Sequence, residues 1–297
     1  MNIILVCIGN FQDYIIYNLY NLLLYDNNDI YIITNKELFP LFQLNINTII
    51  LPKFKNANIK LIDTNDLDDH NFKDESKLDK NFRNGFWFLC SLRLIYLFSF
   101  IDKYKLEKCI HLENDVICYE NFNLIENKFT EDKVYATFDS YNRVIPGILF
   151  IPDYNAVKPI LNNYNFDVND MENLAKFDET IILPLPIFSN IQVNNKFTKL
   201  FSIFDSIFDG AAIGQYLGGV DKRNISGDTR GFINETCIIK YNNYTFHWIK
   251  CNELYKPHIL IDSQYIPINN LHIHSKELYN FLADNPLENK LINIISI

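Results

Sequence analysis

Two acids stand directly behind an isoleucine-rich stretch in "IHLENDVICYE", residues 110–120. Glu113 and Asp115 are two residues apart, so on an extended strand both side chains point to one face. Charged side chains are rarely buried without a partner, so this pair faces water, pairs with a base or holds a cation. Two adjacent carboxylates raise each other's pKa unless a cation neutralises them, and Mg²⁺ or Mn²⁺ suits carboxylate and phosphate together. We interpret the pair as a metal or phosphate site; the alternative is a solvated acidic turn.

One arginine stands inside the apolar segment 86–101. The guanidinium of Arg93 cannot lose its proton and requires anionic partners. The partner is either an acid of the 113–115 cluster, which would be a structural role, or a diphosphate gripped bidentately.

The segment "LHIHSK", residues 271–276, places two histidines at strand spacing and a lysine close behind them. In a regular strand His272 and His274 point the same way, and one of them is suited to complete the coordination of an ion held by Asp115. Lys276 is suited to neutralise a phosphate. The alternative is a pair of surface histidines near the C-terminus.

Strands and helices must hold these residues in position. The sequence pattern of the N-terminal third of the chain indicates which elements these are. Strand-like apolar runs alternate with helical spacing, which predicts an α/β fold with a largely parallel sheet. The runs "NTIILP" and "NETCIIKY" are among the predicted strands. Ligands of such sheets bind beyond the carboxyl ends of strands. The ligand-facing positions predicted from this rule are Gly9, Asn10 and Asp63; the alternatives are a plain turn at Gly9-Asn10 and a loop acid at Asp63.

Length, charge and cysteine usage limit the functional classes. The chain has 297 residues, 48% apolar and 21% charged, and no Pro/Gly/Ser linker or internal repeat, so we expect one domain over residues 1–297. The net charge of −9 argues against nucleic acid as a partner. The apolar segment 86–101 is short for a membrane span and contains Arg93, so no stable membrane insertion is expected. Six cysteines without a CxxC pair, and no signal peptide, favour a reducing compartment such as the cytoplasm.

At this point the residues resemble a known family. The segment 86–122, an apolar helix with a basic residue and then a strand ending in two acids, is similar to the donor site of GT-A type glycosyltransferases. The family's Asp-x-Asp motif would read Glu113-Asn114-Asp115 here, with Glu as a variant. "VIPGILFIP", residues 144–152, resembles the strand that shapes the family's sugar pocket. "FDGAAIGQYLGG", residues 208–219, resembles its acidic acceptor-side segment. The composition is also similar to that of hypothetical glycosyltransferases of large DNA viruses.

The resemblance implies a GT-A (Rossmann-like) fold with a mixed, mainly parallel central sheet flanked by helices. It implies a UDP-sugar donor, a glycan or glycoprotein acceptor, and Mn²⁺ or Mg²⁺ bridging the diphosphate to the protein. Asp115 would bind the metal directly, and Glu113 would contact the ribose or bind the metal through water. His274, or else His272, would be the second protein ligand, and we expect the larger loss of metal affinity on removing His274.

The same resemblance assigns further roles. In an inverting enzyme Asp209 would be the catalytic base, with Asp205 and Asp221 behind it. The expected nucleotide-sugar contacts are Ile8, Gly9, Asn10, Asp63, Arg93, Glu113, Asn114, Gly147 and Lys276.

Three other functions remain open at the level of sequence. A nucleotidyltransferase also uses a metal on an α/β sheet, but normally has a glycine-rich phosphate loop where this chain offers only Gly9. A non-catalytic nucleotide-sugar-binding protein would normally lack the metal acids or the C-terminal histidine. A metallohydrolase would use His272 and His274 as ligands.

Overall fold

The computed structural model describes residues 1–189 and 195–296, and those residues form thirteen strands. The strands are β1 (Asn2–Cys7), β2 (Asp29–Thr34), β3 (Asn58–Asp63), β4 (Cys109–Leu112), β5 (Val116–Cys118), β6 (Val134–Ser140), β7 (Arg143–Ile151), β8 (Ile182–Pro184), β9 (Thr245–Cys251), β10 (Leu254–Ile261), β11 (Gln264–Pro267), β12 (Asn270–His272) and β13 (Ile292–Ile295).

A seven-stranded sheet with strand order β3-β2-β1-β4-β7-β6-β8 forms the centre of the described part of the molecule. Strands β3, β2, β1 and β4 are mutually parallel. β7 is antiparallel to both β4 and β6, while β8 is parallel to β6, so β7 alone opposes the other six strands. The carboxyl ends of the parallel strands therefore open at one edge of the sheet, where α/β proteins bind ligands.

Helices cover this sheet. Within the described ranges they are α1 (Ile15–Leu24), α2 (Phe39–Asn45), α3 (Phe72–Glu75), α4 (Phe86–Tyr104), α5 (Phe122–Ile125), α6 (Tyr154–Asn162), α7 (Asp170–Ala175), α8 (Asn195–Thr198), α9 (Phe201–Phe204) and α10 (Ala212–Gly218). The two longest, α1 and α4, belong to two different buried hydrophobic clusters, and each cluster takes alternate side chains of β1. The sheet is thus buried on both faces, as the near-continuous apolar strands require.

A short antiparallel ribbon joins the C-terminal part of the chain to the acidic motif. β12 pairs with β5, and His272 lies opposite Val116. A separate four-stranded sheet, of order β11-β10-β9-β13, carries the rest of the C-terminal strands. The ribbon is the element that brings residues near 272 beside residues near 115.

The α/β class, the mixed and mainly parallel sheet and the long helix beginning at Phe86 are all confirmed by these elements. The strand predicted at "NTIILP" is wrong. That run continues α2 as a π-helical turn, Ile46–Ile50, with Pro40 in the first turn of the helix, where its missing N–H costs no bond. Its β-branched residues suit a strand, but Ile49 is 48% exposed and has no sheet face to cover.

The strand predicted at "NETCIIKY", residues 234–241, is also wrong. The side chain of Asn234 accepts the N–H of Thr236 (3.0 Å), which closes a local turn. The N–H of Ile238 donates instead to the carbonyl of Asp139 (2.8 Å), as an isolated contact. Local side-chain hydrogen bonds therefore take the place of the backbone hydrogen bonds that would join this segment to a neighbouring strand.

None of the described helices combines the length and the apolar character needed to cross a membrane. The segment 86–101 lies in α4, and ten of its residues are buried. The six cysteines are free thiols, four of them buried.

Candidate functional site

The acidic motif occupies a fixed turn at the carboxyl end of β4. The N–H of Glu113 donates to the carbonyl of Gly147 on the neighbouring strand (2.9 Å), and the N–H of Val116 returns to the carbonyl of Glu113 (3.1 Å). The N–H of Ile273 donates to the carbonyl of Asp115 (2.8 Å). Because the backbone is tied at both acids, their side chains project from one rigid point at the edge of the sheet.

His272 lies against both acids. Its Nε2 atom is 3.1 Å from Oε2 of Glu113 and 3.2 Å from Oδ2 of Asp115. Gly147 makes room for the ring, because a Cβ on that residue would stand 2.8 Å from His272 Nδ1. The buried Nδ1 atom has no hydrogen-bond partner among the described residues. Gly147 was predicted as a donor contact; its observed role is to admit this histidine.

Lys276 contributes a cation to the same point. Its ammonium group forms an ion pair with Oδ2 of Asp115 and lies 5.7 Å from the centroid of the Tyr14 ring. The Lys276 backbone has a φ of +68°, in the left-handed region that a lysine seldom adopts. Such a conformation costs free energy and is held by the N–H of Lys276 donating to the carbonyl of Ile273 (2.9 Å).

Arg93 reaches the motif from α4 and is buried as predicted, with its side chain 11% exposed. Its Nη2 atom is 2.5 Å from Oε1 of Glu113 and 2.9 Å from Oδ2 of Asp170. One guanidinium nitrogen therefore bridges two carboxylates. The partner in the 113–115 cluster that the sequence left open is Glu113, and Asp170 is an additional partner.

These contacts shift the ionisation of each group. Burial favours neutral Glu113, but Arg93 and His272 outweigh it and lower its pKa to about 2. Burial likewise opposes the charge of Asp115, whose pKa is nevertheless held well below its usual range by His272 and Lys276. Burial would lower the pKa of His272, yet Asp115 and Glu113 raise it to about 10. Two buried carboxylates are thus kept ionised by surrounding cations.

The same three groups suit a divalent cation. Glu113, Asp115 and His272 each offer one ligand atom, and these atoms lie within 4.8 Å of one another. Adjacent ligands of an octahedral ion with bonds of about 2.1 Å are about 3 Å apart, close to the His272–carboxylate distances given above. Carboxylate oxygen with one imidazole nitrogen is a donor set that takes Mn²⁺ and Mg²⁺ among divalent ions. The residues therefore fit the implied metal.

His274 is not part of this group, which reverses the expected order of the two histidines. β12 ends at His272, so the two side chains do not continue on one strand face. The Nδ1 atom of His274 accepts the N–H of Asp221 (3.2 Å), and the two imidazole rings are 6.5 Å apart. Burial, Lys276 and His272 lower the pKa of His274 to about 4. In this geometry His272, and not His274, contacts the two acids, so His272 is the better placed of the two to be a metal ligand.

Asp209, the predicted catalytic base, is 1% exposed and its carboxylate is used by the backbone. Oδ1 accepts the N–H of Ile213 (2.8 Å), and Oδ2 accepts the N–H groups of Gly214 (2.8 Å) and His272 (2.9 Å). Burial raises the pKa of Asp209, and these backbone amides oppose that shift. The side chain caps α10 and fixes β12, so it is not placed to accept a proton from an acceptor hydroxyl.

The two acids expected behind Asp209 also have other environments. Asp205 is exposed and has a φ of +52° at the end of α9. Asp221 pairs with Arg223, whose Nε lies 3.0 Å from Asp221 Oδ2. Burial opposes the charge of Asp221, but the bonds from Arg223 lower its pKa to about 2. Neither acid contacts Glu113 or Asp115.

A cavity of about 400 Å³ opens beyond the carboxyl ends of β1 and β2. Ile8 and Gly9 line it, together with aromatic Phe88 and Tyr96. The N–H of Gly9 is already accepted by the side chain of Asn35 (2.8 Å), so it is not a free phosphate donor. α4 carries part of the cavity wall, including Leu92, and also carries Arg93, which follows Leu92 in the sequence.

Three predicted donor contacts lie outside this cavity wall. Asn10 is exposed, and Asp63 accepts the N–H of Asn65 (2.9 Å) at the end of β3. Asn114 is buried, and its amide donates to the carbonyl of Val6 (3.0 Å) and to the side chain of Gln12. Asn114 thereby fastens the motif to β1 and is not directed at a ligand.

Asp170 is the residue of the site that the sequence did not indicate. Its side chain is 3% exposed, and burial raises its pKa to about 6, with Arg93 opposing and Glu113 reinforcing that shift. In the sequence it ends "DVND", one of several acid-rich triplets with no apolar strand before it. The one indication in the sequence is the buried Arg93. Its guanidinium has five N–H donors, so a second acidic partner besides Glu113 can be expected.

No protein-family model and no curated protein matches the chain. Solved structures similar to it include a galactosyltransferase, LgtC, in complex with donor and acceptor sugar analogs, with 14% identity over 63% of this chain and 73% of that chain and a TM-score of 0.38. Mouse xyloside xylosyltransferase 1 matches at 10% identity over 59% and 79% of the two chains, with a TM-score of 0.39. A putative glucose-1-phosphate thymidylyltransferase from Bacillus anthracis matches at 12% identity over 62% and 85%, with a TM-score of 0.37. Glycosyltransferases of GT-A type and nucleotidyltransferases are thus both among its structural neighbours, and no residue role is transferred from them.

Proposed function

We propose that this chain is a metal-dependent glycosyltransferase, a hexosyltransferase that moves a sugar from a nucleotide-diphosphate sugar, a UDP-sugar in the first instance, to a glycan or glycoprotein acceptor. One observation carries the proposal. Glu113, Asp115 and His272 converge at the carboxyl edge of the sheet with ligand atoms within 4.8 Å of one another, flanked by the cations Arg93 and Lys276. A site with both anionic ligands for a metal and cations for phosphate suits a diphosphate leaving group.

The metal ligands in this proposal are Asp115, Glu113 and His272. A bound Mn²⁺ or Mg²⁺ would supply Lewis-acid stabilisation of the negative charge that develops on the departing nucleoside diphosphate. The protein holds the two carboxylates ionised before the ion arrives, whereas His272, whose pKa is raised to about 10, has to release the proton from Nε2 for that nitrogen to bind the ion.

The two cations of the site, Lys276 and Arg93, have different proposed roles. Arg93 is buried and pairs with Glu113 and Asp170 through one nitrogen, so its proposed role is to orient Glu113. Lys276 is 24% exposed and pairs only with Asp115 among the described acids, so it is the cation free to turn toward a diphosphate oxygen. An ammonium on a flexible stem suits this exchange of partners.

The cavity beside Ile8 and Gly9 is the proposed site of the nucleoside. Phe88 and Tyr96 offer aromatic surfaces to a base, and about 400 Å³ is within the range of small-ligand pockets. A base in this cavity would direct its diphosphate along α4 toward Lys276. We further propose that residues 1–297 act as one domain, since the motif, ribbon and cavity draw on strands from both halves of the chain.

The test is donor turnover by the purified chain with Mn²⁺. UDP-, GDP- and dTDP-hexoses are incubated with it, and nucleoside diphosphate and free sugar are measured by NMR, since many transferases hydrolyse donor slowly when no acceptor is present. We expect one donor class to be consumed with Mn²⁺, to be retained with EDTA, and to be retained by Asp115→Asn. Formation of a nucleotide-sugar and pyrophosphate from a nucleoside triphosphate and a sugar 1-phosphate would replace this proposal with a nucleotidyltransferase.

A further inference from the structure

We propose that Asp170 is a positioning residue of the metal centre. Arg93 pairs with Asp170 as well as with Glu113, and therefore binds only one carboxylate oxygen of Glu113. The second oxygen of Glu113 stays available to a divalent cation. This inference rests on the metal site of the proposed function, and its test reads metal affinity instead of sugar transfer. Asp170 pairs with Arg93 and with none of the three proposed metal ligands, so nothing in the 113–115 motif implies such a role.

The geometry is a three-member chain. Asp170 Oδ2 lies 2.9 Å from Arg93 Nη2, and the same nitrogen lies 2.5 Å from Glu113 Oε1. Glu113 Oε2 is left pointing at His272 Nε2, 3.1 Å away. Because one nitrogen of Arg93 pairs with both carboxylates, loss of the Asp170 charge would leave Glu113 as the only acid that pairs with this guanidinium.

Asp170 is held in place independently of the site. It is the first residue of α7, whose N-cap Asn169 accepts the N–H of Glu172 (3.1 Å). The Asp170 side chain is 3% exposed, and its Oδ1 atom and the Nε atom of Arg93 have no hydrogen-bond partner within residues 1–189 and 195–296. An ionised acid left partly unpaired in a dry position costs free energy. Its position against Arg93 is therefore the feature that needs a function.

The local charge fixes the sign of the effect. Three carboxylates, Glu113, Asp115 and Asp170, face two permanent cations, Arg93 and Lys276. When the His272 imidazole is neutral, as metal coordination requires, the carboxylates are in excess by one, which favours a divalent ion. Without the Asp170 charge the excess disappears, and Glu113 is drawn more strongly to Arg93. Both changes weaken metal binding.

The experiment compares Asp170→Asn, which keeps the shape and removes the charge, with Glu172→Gln, which removes an exposed charge from the same short helix. Free Mn²⁺ is measured by EPR during titration of each variant without nucleotide. We expect Asp170→Asn to weaken Mn²⁺ binding about tenfold, as is typical for residues that orient metal ligands. Glu172→Gln should stay within about twofold of the unsubstituted chain, and Asp170→Glu should recover most of the affinity.

A double-mutant cycle separates positioning from a general structural role. If Asp170 acts through Glu113, adding Asp170→Asn to Glu113→Gln should weaken Mn²⁺ binding no further, whereas independent effects add. Mn²⁺ affinity within about twofold in Asp170→Asn, an additive cycle, or no Mn²⁺ binding by the unsubstituted chain would each overturn the inference. If Asp170→Asn does not fold, Asp170→Ser, which suits a helix first turn, takes its place with the same expectations. Mn²⁺ binding without turnover of any donor would leave this inference standing and reject the proposed function.

Discussion

Asp115 and Asp209 are two buried aspartates, 5% and 1% exposed, and both contact His272, yet they do so in opposite ways. Asp115 meets the imidazole ring, together with the ammonium of Lys276. Asp209 meets the backbone N–H of His272, together with two further N–H groups at the start of α10. The pKa of Asp115 is lowered by its cations, whereas burial raises that of Asp209.

This difference distinguishes Asp115, an acid of the candidate site, from Asp209, an acid with a structural role. Side-chain cations can turn away from Asp115 and be replaced by a metal ion, so its charge is available for chemistry. Backbone amides cannot leave Asp209 without unwinding α10 and releasing β12, so its charge is committed to the fold. The close packing at Gly214, where a Cβ would stand 2.0 Å from the carbonyl of His272, shows how tightly that region is built.

The largest expected effect is that of Asp115→Asn. It should weaken Mn²⁺ binding at least about 100-fold, since it removes a direct ligand and leaves Lys276 beside the site without its partner. The fold should survive, because the backbone carbonyl of Asp115, not its side chain, holds the N–H of Ile273. Isothermal titration with Mn²⁺ and far-UV circular dichroism measure the two quantities. Near-normal Mn²⁺ affinity in this variant would show that Asp115 is not a ligand.

The next effect distinguishes the two histidines of the C-terminal segment. His272→Ala should weaken Mn²⁺ binding by about 10- to 100-fold, because its Nε2 faces both acids. His274→Ala should change it less than about threefold, because its Nδ1 is occupied by the N–H of Asp221. The same titration on both variants compares them. A larger loss in His274→Ala would restore the order expected from strand alternation.

Asp209→Asn should lower stability instead of metal affinity. An amide can accept at one oxygen only, so part of the capping of α10 and the tie to β12 are lost, at a cost of about 2 kcal/mol in the free energy of unfolding. Urea denaturation measures this, and Mn²⁺ affinity of the folded variant should remain within about threefold. Unchanged stability combined with lost donor turnover would return Asp209 to the role of catalytic base.

The smallest effect is a difference in pH dependence of the metal-free protein. Glu113 has a folded pKa of about 2, below its usual value of 4.5, so its stabilising contribution is present above pH 4.5 and is lost as pH falls toward 2. Asp209 has a raised folded pKa, so its ionisation destabilises the fold as pH rises through that value. Between pH 7 and 3 the stability gap between the unsubstituted chain and Glu113→Gln should shrink by about 1 kcal/mol, while the gap to Asp209→Asn should widen. Urea denaturation at pH 3, 4, 5 and 7 tests the two signs, and parallel curves for all three proteins would contradict them.

Much of the site could be predicted because it follows one local pattern. An apolar strand that ends in Glu113 and Asp115 places both acids at the carboxyl edge of a sheet, and an arginine inside an apolar helix must find an anion. Those two rules located Arg93, Glu113 and Asp115; Lys276 was indicated separately by the segment 271–276, as a partner for a phosphate, and it pairs with Asp115.

The remainder depends on contacts between distant parts of the chain. Which histidine meets the acids is decided by the residue at which β12 ends, and that follows from its pairing with β5, not from the alternation of the segment itself. Asp209 precedes a helix, where an acid serves equally well as a cap or as a base, and only the positions of Ile213 and Gly214 decide between them. The segment around Asp170 does not indicate its role, because the signal lies in its partner Arg93, 77 positions away.

Crystals of the chain grown with Mn²⁺ and UDP, with diffraction data collected at the manganese edge, would show whether one divalent ion binds between Glu113, Asp115 and His272. We expect an anomalous peak about 2.1 Å from a carboxylate oxygen of Asp115 and about the same distance from His272 Nε2, with Glu113 bound directly or through water and Lys276 turned toward the diphosphate. A peak on His274, on Asp209 or elsewhere in the molecule, or none at a Mn²⁺ concentration that supports donor turnover, would contradict this expectation.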